Sequence, residues 1–310
     1  MDNVTPLGGD VYEIDTRMAG YSGITAGYLI LGDRPCLVET GTSTSAPVVR
    51  DALNALGVGP GDLSTIVVTH IHLDHAGGVG DIASFFPSAQ VVVHEKGARH
   101  LADPARLMAS ARMVWGDKLD VLFGTLSPTE AARITSLGDT GTIDLGGGRT
   151  LASHYSPGHA KHHVGLLDSE TGDLYVGDAA GVYLPETGDL RPATPPPDFD
   201  LRTALDSIAL FGALGPRRLL FSHYGPVDDV TTTLERSAEE LRVWVDLTKQ
   251  AHAEGLDLDH AVAMVEARTR ERYTTVDGEA ASTRLEVLSG APSNVAGILH
   301  WLGKEQPGSQ

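Results

Sequence analysis

Apolar positions along the chain repeat with two periods, and the change from one to the other marks its elements. Residues 11–16 (VYEIDT), 26–31 (AGYLIL) and 35–39 (PCLVE) are short, β-branched or aromatic runs that predict three strands, with Gly32-Asp33-Arg34 as a hairpin turn. Residues 46–56 (APVVRDALNAL) shift to helical spacing and stop at Gly57. A strand at 65–69, a short helix at 79–85 and a strand at 90–94 follow. Such strand–helix alternation predicts an α/β sandwich (α+β in some schemes) rather than an all-β domain. Residues 95–139 interrupt it with helical stretches at 97–122 and 128–135, broken by Asp103-Pro104 and Ser127-Pro128, and read as a helical insert overhanging the strand ends. Met108, Met113 and Trp115 in that insert are read first as a core stripe and second as the lining of a pocket.

Strand patterns return at 142–145, 149–154, 163–168 and 173–177, with Gly146-Gly147-Gly148 and Glu170-Thr171-Gly172 as turns. No Lys-Ser/Thr follows the glycine triplet, so it is a hairpin and not a phosphate loop. Residues 182–200 are expected to be an irregular loop, because Pro195-Pro196-Pro197 lacks donors for a central strand. A helix is expected at 201–214 and a strand at 218–222. Helices follow at 229–254, 258–272 and 292–303, with a frayed tail past Gly303. The natural division is a main domain over 1–227 and a helical extension over 228–310 packed on it.

Chemistry concentrates where the strand 65–69 ends, in His70-Ile71-His72-Leu73-Asp74-His75. Side chains two apart in an extended segment point the same way, so His70 and His72 can share one metal ion. Asp74 and His75 lie where the following turn, loosened by Gly77-Gly78, can aim them at a second. Imidazole and carboxylate suit zinc, iron or manganese. Further candidates stand directly after later strands: His159 in Ser156-Pro157-Gly158-His159, Asp178 in Val176-Gly177-Asp178, and His223 in Ser222-His223-Tyr224-Gly225. Convergence of strand ends on one sheet edge is how α/β enzymes assemble a site.

These motifs, in this order over roughly residues 11–225, resemble the metallo-β-lactamase fold superfamily, and within it the glyoxalase II-like hydrolases. The resemblance implies an αββα sandwich forming the catalytic domain, with a helical insert and a helical C-terminal extension. It implies two divalent cations, zinc first with iron or manganese as alternatives. His70, His72 and His159 would hold one ion, Asp74, His75 and His223 the other, and Asp178 would bridge them. The family commonly has Asp-Thr-Gly where this chain has Glu39-Thr40-Gly41, a carboxylate that orients a ligand histidine. A Gly-His pair usually follows the PGH histidine; here it is His162-His163, with His163 read as a support behind a ligand or as structural, and His162 as an extra imidazole, exposed rather than ligating. His94, at another strand end, is read as structural.

The expected activity is hydrolysis of a small ester, thioester or lactone. A water shared by two cations has its pKa lowered from about 16 toward neutrality, and the hydroxide attacks the carbonyl. Asp74 and Asp178 would act at that water, and Tyr183 and Tyr224 could donate to the oxyanion. A mononuclear iron dioxygenase of the same fold and a non-catalytic metal-binding protein are the alternatives.

Composition narrows the partners. The 310 residues carry 41 acidic and 23 basic side chains, a formal charge of −18, which repels phosphate backbones and argues against nucleic acid. Residues 228–310 are net acidic too and offer no cationic grip for a glutathione thioester. Apolar runs reach only about 5–8 residues, so no membrane span is expected. The start of the chain lacks a basic, apolar leader, and Cys36 is the only cysteine, which together predict a cytoplasmic protein. A small carbonyl compound is the expected partner, and a homodimer is left open.

Overall fold

The structure is a computed structural model that describes residues 2–274 and 290–305. It divides into two compact units: residues 1–155 with 162–176, and residues 156–161 with 177–310.

In the first unit, seven strands form one sheet in sequence order: β1 (Val4–Gly8), β2 (Val11–Asp15), β3 (Ala26–Ile30), β4 (Cys36–Val38), β5 (Thr65–Val67), β6 (Gln90–His94) and β7 (Ile134–Leu137). Pairing is antiparallel from β1 to β4 and parallel from β4 to β7. The parallel strands β4 and β5 are buried throughout, as a strand covered on both faces must be. Helices α1 (Ala46–Ala55) and α3 (Val79–Phe85) pack on each other and against β2 and β6. Four antiparallel strands make a second layer: β8 (Thr140–Asp144), β9 (Thr150–Tyr155), β10 (Val164–Asp168) and β11 (Asp173–Gly177). Tyr28 of β3 and Tyr175 of β11 meet edge to face between the layers, with ring centroids 5.4 Å apart. Arg149 pairs with the buried Asp168 and donates across to the Gly9 carbonyl at 2.9 Å, so the buried charges are matched. Cys36 is fully buried, and burial pushes its thiol pKa up.

Two expectations fail in the first unit. Residues 128–135 are not helical. A single 3₁₀ turn at Ala131–Arg133 leads into β7, because Ile134 and Leu137 find parallel partners in Val91 and His94. The Arg133 guanidinium donates to the carbonyls of Ala83, Phe86 and Ala89, which fixes the chain there in place of helical bonds. The insert is helical over α4 (Glu95–Ala102), α5 (Ala105–Trp115) and α6 (Lys118–Leu122), but α5 buries no residue, and Met113 is 82% exposed. Met113 therefore belongs to neither a core stripe nor a pocket wall. Met108 and Trp115 are half-buried.

The second unit holds a ribbon, β12 (Val182–Leu184) with β13 (Asp189–Arg191), and a hairpin, β14 (Arg218–Phe221) with β15 (Gly225–Val227). The ribbon replaces the first part of the expected irregular loop at 182–200; residues 192–200, with the proline run, lie outside regular structure, and the strands were hidden because Pro185 cuts β12 short and β13 holds a single apolar residue. Helices α7 (Leu201–Ala213), α8 (Val230–Ala253), α9 (Leu258–Thr269) and α10 (Ala291–Glu305) pack together, with α8 also against β13. Asp200, Asp229 and Asp257 cap three of these helices by accepting from backbone N–H groups. The frayed tail expected past Gly303 is helical as far as Glu305, and its last five residues lie outside those described. No helix among the described residues is long and apolar enough to cross a membrane.

Candidate metal centre

The first unit presents four of the seven expected ligands. After β5, residues 68–72 lie outside regular structure, bending at Thr69 and ending with His72 in an extended conformation, and α2 (Leu73–Ala76) carries Asp74 in its first turn and His75 in its last. His70 Nε2 and His72 Nδ1 stand 3.0 Å apart. Two imidazole nitrogens on one tetrahedral zinc, each about 2.0–2.1 Å from it, are separated by roughly 3.3 Å. The pair is thus spaced as two ligands of one ion are spaced. His75 Nε2 lies 3.6 Å from Asp74 Oδ2, and the ring of His75 packs on that of His70 with centroids 4.0 Å apart. His70 and His75 are buried, while the Asp74 side chain keeps 25% of its surface open.

Carboxylate and hydroxyl groups behind the loop aim these rings. Glu39 adopts φ 64°, a left-handed conformation uncommon for a residue with a side chain. Its Oε1 accepts the Thr69 N–H at 3.0 Å, and its Oε2 lies 3.5 Å from His75 Nδ1. Glu39 therefore faces His75, with Nε2 left on the side of Asp74. Thr69 Oγ1 lies 3.0 Å from His70 Nδ1 and gives that ring its own anchor. Thr69 was missed in the sequence, although its place directly before His70 is the signal that could have found it.

Two neighbouring histidines are corrected or placed. His162 is not exposed. It is half-buried, accepts the Ile71 N–H on Nδ1 at 3.3 Å, and meets His72 edge to face at 5.8 Å. Its partner is the backbone inside the hexapeptide, which counting residues in the motif could not reveal. His163 is fully buried with its ring 5.1 Å from His70, in keeping with a structural role. His94 caps α4, accepting the Lys96 N–H, and stacks on Tyr155; burial lowers its pKa.

The second unit presents the other three. His159 Nδ1 lies 2.9 Å from the Ala193 carbonyl, which fixes its proton there and leaves Nε2 3.5 Å from Asp178 Oδ2. His223 Nε2 lies 3.6 Å from the other oxygen, Asp178 Oδ1. One carboxylate thus has a separate oxygen beside each imidazole. All three are buried. The turn holding His159 is pinned by α7: Gly158 accepts the Asp200 N–H at 3.0 Å, and Ser207 donates to the Pro157 carbonyl at 2.6 Å. Tyr183 and Tyr224 are half-buried beside this set. The Tyr183 N–H donates to the His223 carbonyl at 2.6 Å, and the Tyr224 N–H donates back to the Tyr183 carbonyl at 3.2 Å.

In both units the donors are imidazole and carboxylate, all but His72 and Asp74 buried, of the kinds that can hold a metal ion. The sequence pattern of the metallo-beta-lactamase superfamily matches residues 21–223 of the 310. The chain belongs to that superfamily. The metallo-beta-lactamase fold-containing protein ST1585 of Sulfurisphaera tokodaii is 31% identical over 192 residues, which is 60% of this chain and 71% of ST1585. The solved structure of ST1585 superposes with a TM-score of 0.69 at 22% identity, covering 95% of this chain and 99% of that one. A family protein of Thermus thermophilus, TTHA1429, gives 0.62 at 23% identity, over 91% of this chain and 89% of the other. The N-acyl homoserine lactonase AttM of Rhizobium radiobacter is 29% identical over 118 residues, 38% of this chain and 40% of AttM. Together these establish the metallo-β-lactamase fold for a chain of mixed sheets and helices.

Proposed function

We propose that the superfamily member is a dinuclear, glyoxalase II-like metallohydrolase acting on a small ester, thioester or lactone. His70, His72 and His159 hold one divalent cation, Asp74, His75 and His223 the other, and Asp178 is shared. The observation that carries this is Asp178 offering one oxygen to His159 and the other to His223. Neither half-set completes a coordination shell alone, and the superfamily match spans all seven residues. A lactonase among the relatives supports the carbonyl substrate class.

When bound, zinc or a similar cation supplies an acidified water and a Lewis acid for the carbonyl oxygen. The residues of the chain do the rest. Asp74, partly open to solvent, would serve mainly as a ligand that also orients that water. Glu39 and Thr69 hold the His75 and His70 rings against rotation. Tyr183 and Tyr224 donate to the oxyanion as it develops. The acidic surface turns away polyanions, so a phosphodiester backbone is not the substrate.

Metal analysis joined to a thioester, lactone and phosphodiester panel tests the reading. Two metal ions per chain are expected, with hydrolysis of one carbonyl class and none of the phosphodiester. Asp178→Asn should lower kcat/KM at least about 100-fold, since it weakens a charge shared by both cations. Unchanged turnover in metal-stripped Asp178→Asn protein would sink the proposal.

A further inference from the structure

A polar cluster in the second unit takes no part in the metal set. Glu240, on α8, is 7% exposed. Its Oε1 accepts from Arg272 Nε at 2.9 Å and Nη2 at 2.7 Å, and its Oε2 accepts from the Tyr273 hydroxyl at 2.7 Å. Trp244 Nε1 donates to that same hydroxyl at 2.7 Å. One phenol therefore accepts from a buried indole and donates to a buried carboxylate.

The cluster reaches the β12–β13 ribbon by two routes. The Arg191 guanidinium lies 4.3 Å over the Tyr273 ring, and the Thr274 N–H donates to Asp189 Oδ2 at 2.9 Å. Asp189 and Arg191 are the two ends of β13, opposite Leu184 and Val182 of β12. Between those pairs stands Tyr183, whose backbone brackets the His223–Tyr224 peptide. At the other end, the Arg191 carbonyl occupies the place where a Cβ on Gly181 would sit, and the Gly181 N–H donates to the Asp178 carbonyl at 2.9 Å. Helix α8 adds a direct hold, through Ser237 donating to the Ala180 carbonyl at 2.8 Å.

We infer that Arg272, Tyr273 and Thr274 are positioning residues for Asp178 and His223, acting through the ribbon. The inference rests on the metal-holding role proposed for those two side chains. A ligand must be held within about 0.5 Å of its productive place. The ribbon touches the backbone at both ligands, and the 272–274 stretch is gripped at both ends of β13. Loss of that grip loosens the ligands without removing either of them.

The test titrates the full-length apo chain with zinc by calorimetry and follows Tm in parallel. Tyr273→Phe, which keeps the ring under Arg191, and Asp189→Ala are each expected to bind zinc about tenfold more weakly. Asp189→Asn retains an acceptor oxygen and is expected to return to within about twofold of the parent. If Asp189→Ala fails to fold, Tyr273→Phe carries the comparison, with cobalt(II) absorption as a second reading of ligand geometry. Variants that lose Tm while zinc affinity and cobalt spectrum stay at parental values would reduce the cluster to a structural one and overturn the inference. A parent chain that binds no zinc overturns the metal reading itself; a parent that binds, with variants that bind equally, overturns only the role of 272–274.

Discussion

The two units fix the same kinds of side chain by opposite means. In the first, four proposed ligands fall within one hexapeptide, and local geometry largely places them: two on the loop that follows β5, two on the short helix α2. Thr69 from the adjacent position, with Glu39 and His162 from farther along the chain, completes the hold. In the second, His159, Asp178 and His223 come from three separate strand ends, and elements remote in sequence place them. Helix α7 pins the first, and the β12–β13 ribbon with α8 holds the other two. Local placement resists distant change, whereas placement by packing transmits it. Substitutions far from the ligands should therefore damage the second set much more than the first.

Gly181→Ala should break the comparison most sharply. At φ 88° an L-residue is strained, and the new Cβ would overlap the Arg191 carbonyl. Strain and overlap together should cost about 2–4 kcal/mol, and the displaced ribbon should carry zinc affinity down with it. Gly188 lies in the turn of the same ribbon at φ 70° with nothing within 4 Å of an added Cβ. Gly188→Ala should cost only about 1–2 kcal/mol and leave zinc binding unchanged. Denaturant unfolding beside zinc calorimetry checks both; equal loss of zinc affinity in the two variants would contradict placement by the ribbon.

The same contrast governs what could be read in the sequence. The hexapeptide was legible because its ligands are adjacent, and the later three because each directly follows an apolar run. The ribbon was not, since Pro185 ends the apolar run of β12 and β13 has one apolar residue, Leu190, between two charged ones. Ala131-Ala132 suggested a helix where Ile134 and Leu137 instead pair with β6, a tertiary choice that overrides local propensity. The contacts of Tyr273 with Glu240 and of Thr274 with Asp189 join residues 33 and 85 apart, beyond any local pattern. Most strands and the candidate ligands could thus be picked out in the sequence, while the supports that aim the second group could not.

Glu39 provides a smaller, local test in the first unit. Glu39→Gln keeps the Oε1 acceptor for the Thr69 N–H but removes the charge facing His75 Nδ1 at 3.5 Å. Affinity for the cation proposed at Asp74, His75 and His223 should fall about tenfold, as it does when a group behind a ligand histidine is removed. The cation proposed at His70, His72 and His159 should be unaffected, because His70 is anchored by Thr69 rather than by Glu39. A uniform loss of both ions would mean that the hexapeptide moves as a block and is less locally held than its bonds suggest.

The smallest effect separates the fold of the first unit from its ligands. His94 and His154 have their pKa values lowered, His94 by burial and then by Lys96, His154 by burial alone. Both titrate below the unfolded value of about 6.5, so as pH falls through that value the unfolded chain binds protons first. Stability from these groups is therefore present at neutral pH, declines as pH drops below about 6.5, and levels off below their folded pKa. Asp139, 3.7 Å from His94 Nε2, softens the decline without reversing it. In the double variant His94→Asn/His154→Gln the acid drop in Tm between about pH 7.5 and 5.5 should shrink, and the introduced asparagine side chain keeps an acceptor at the start of α4. Since neither histidine is a proposed ligand, the change should appear alike in zinc-loaded and zinc-free protein. A shrinkage seen only without zinc would instead tie the titration to the ligand histidines, and place His94 and His154 in the same held network as the hexapeptide.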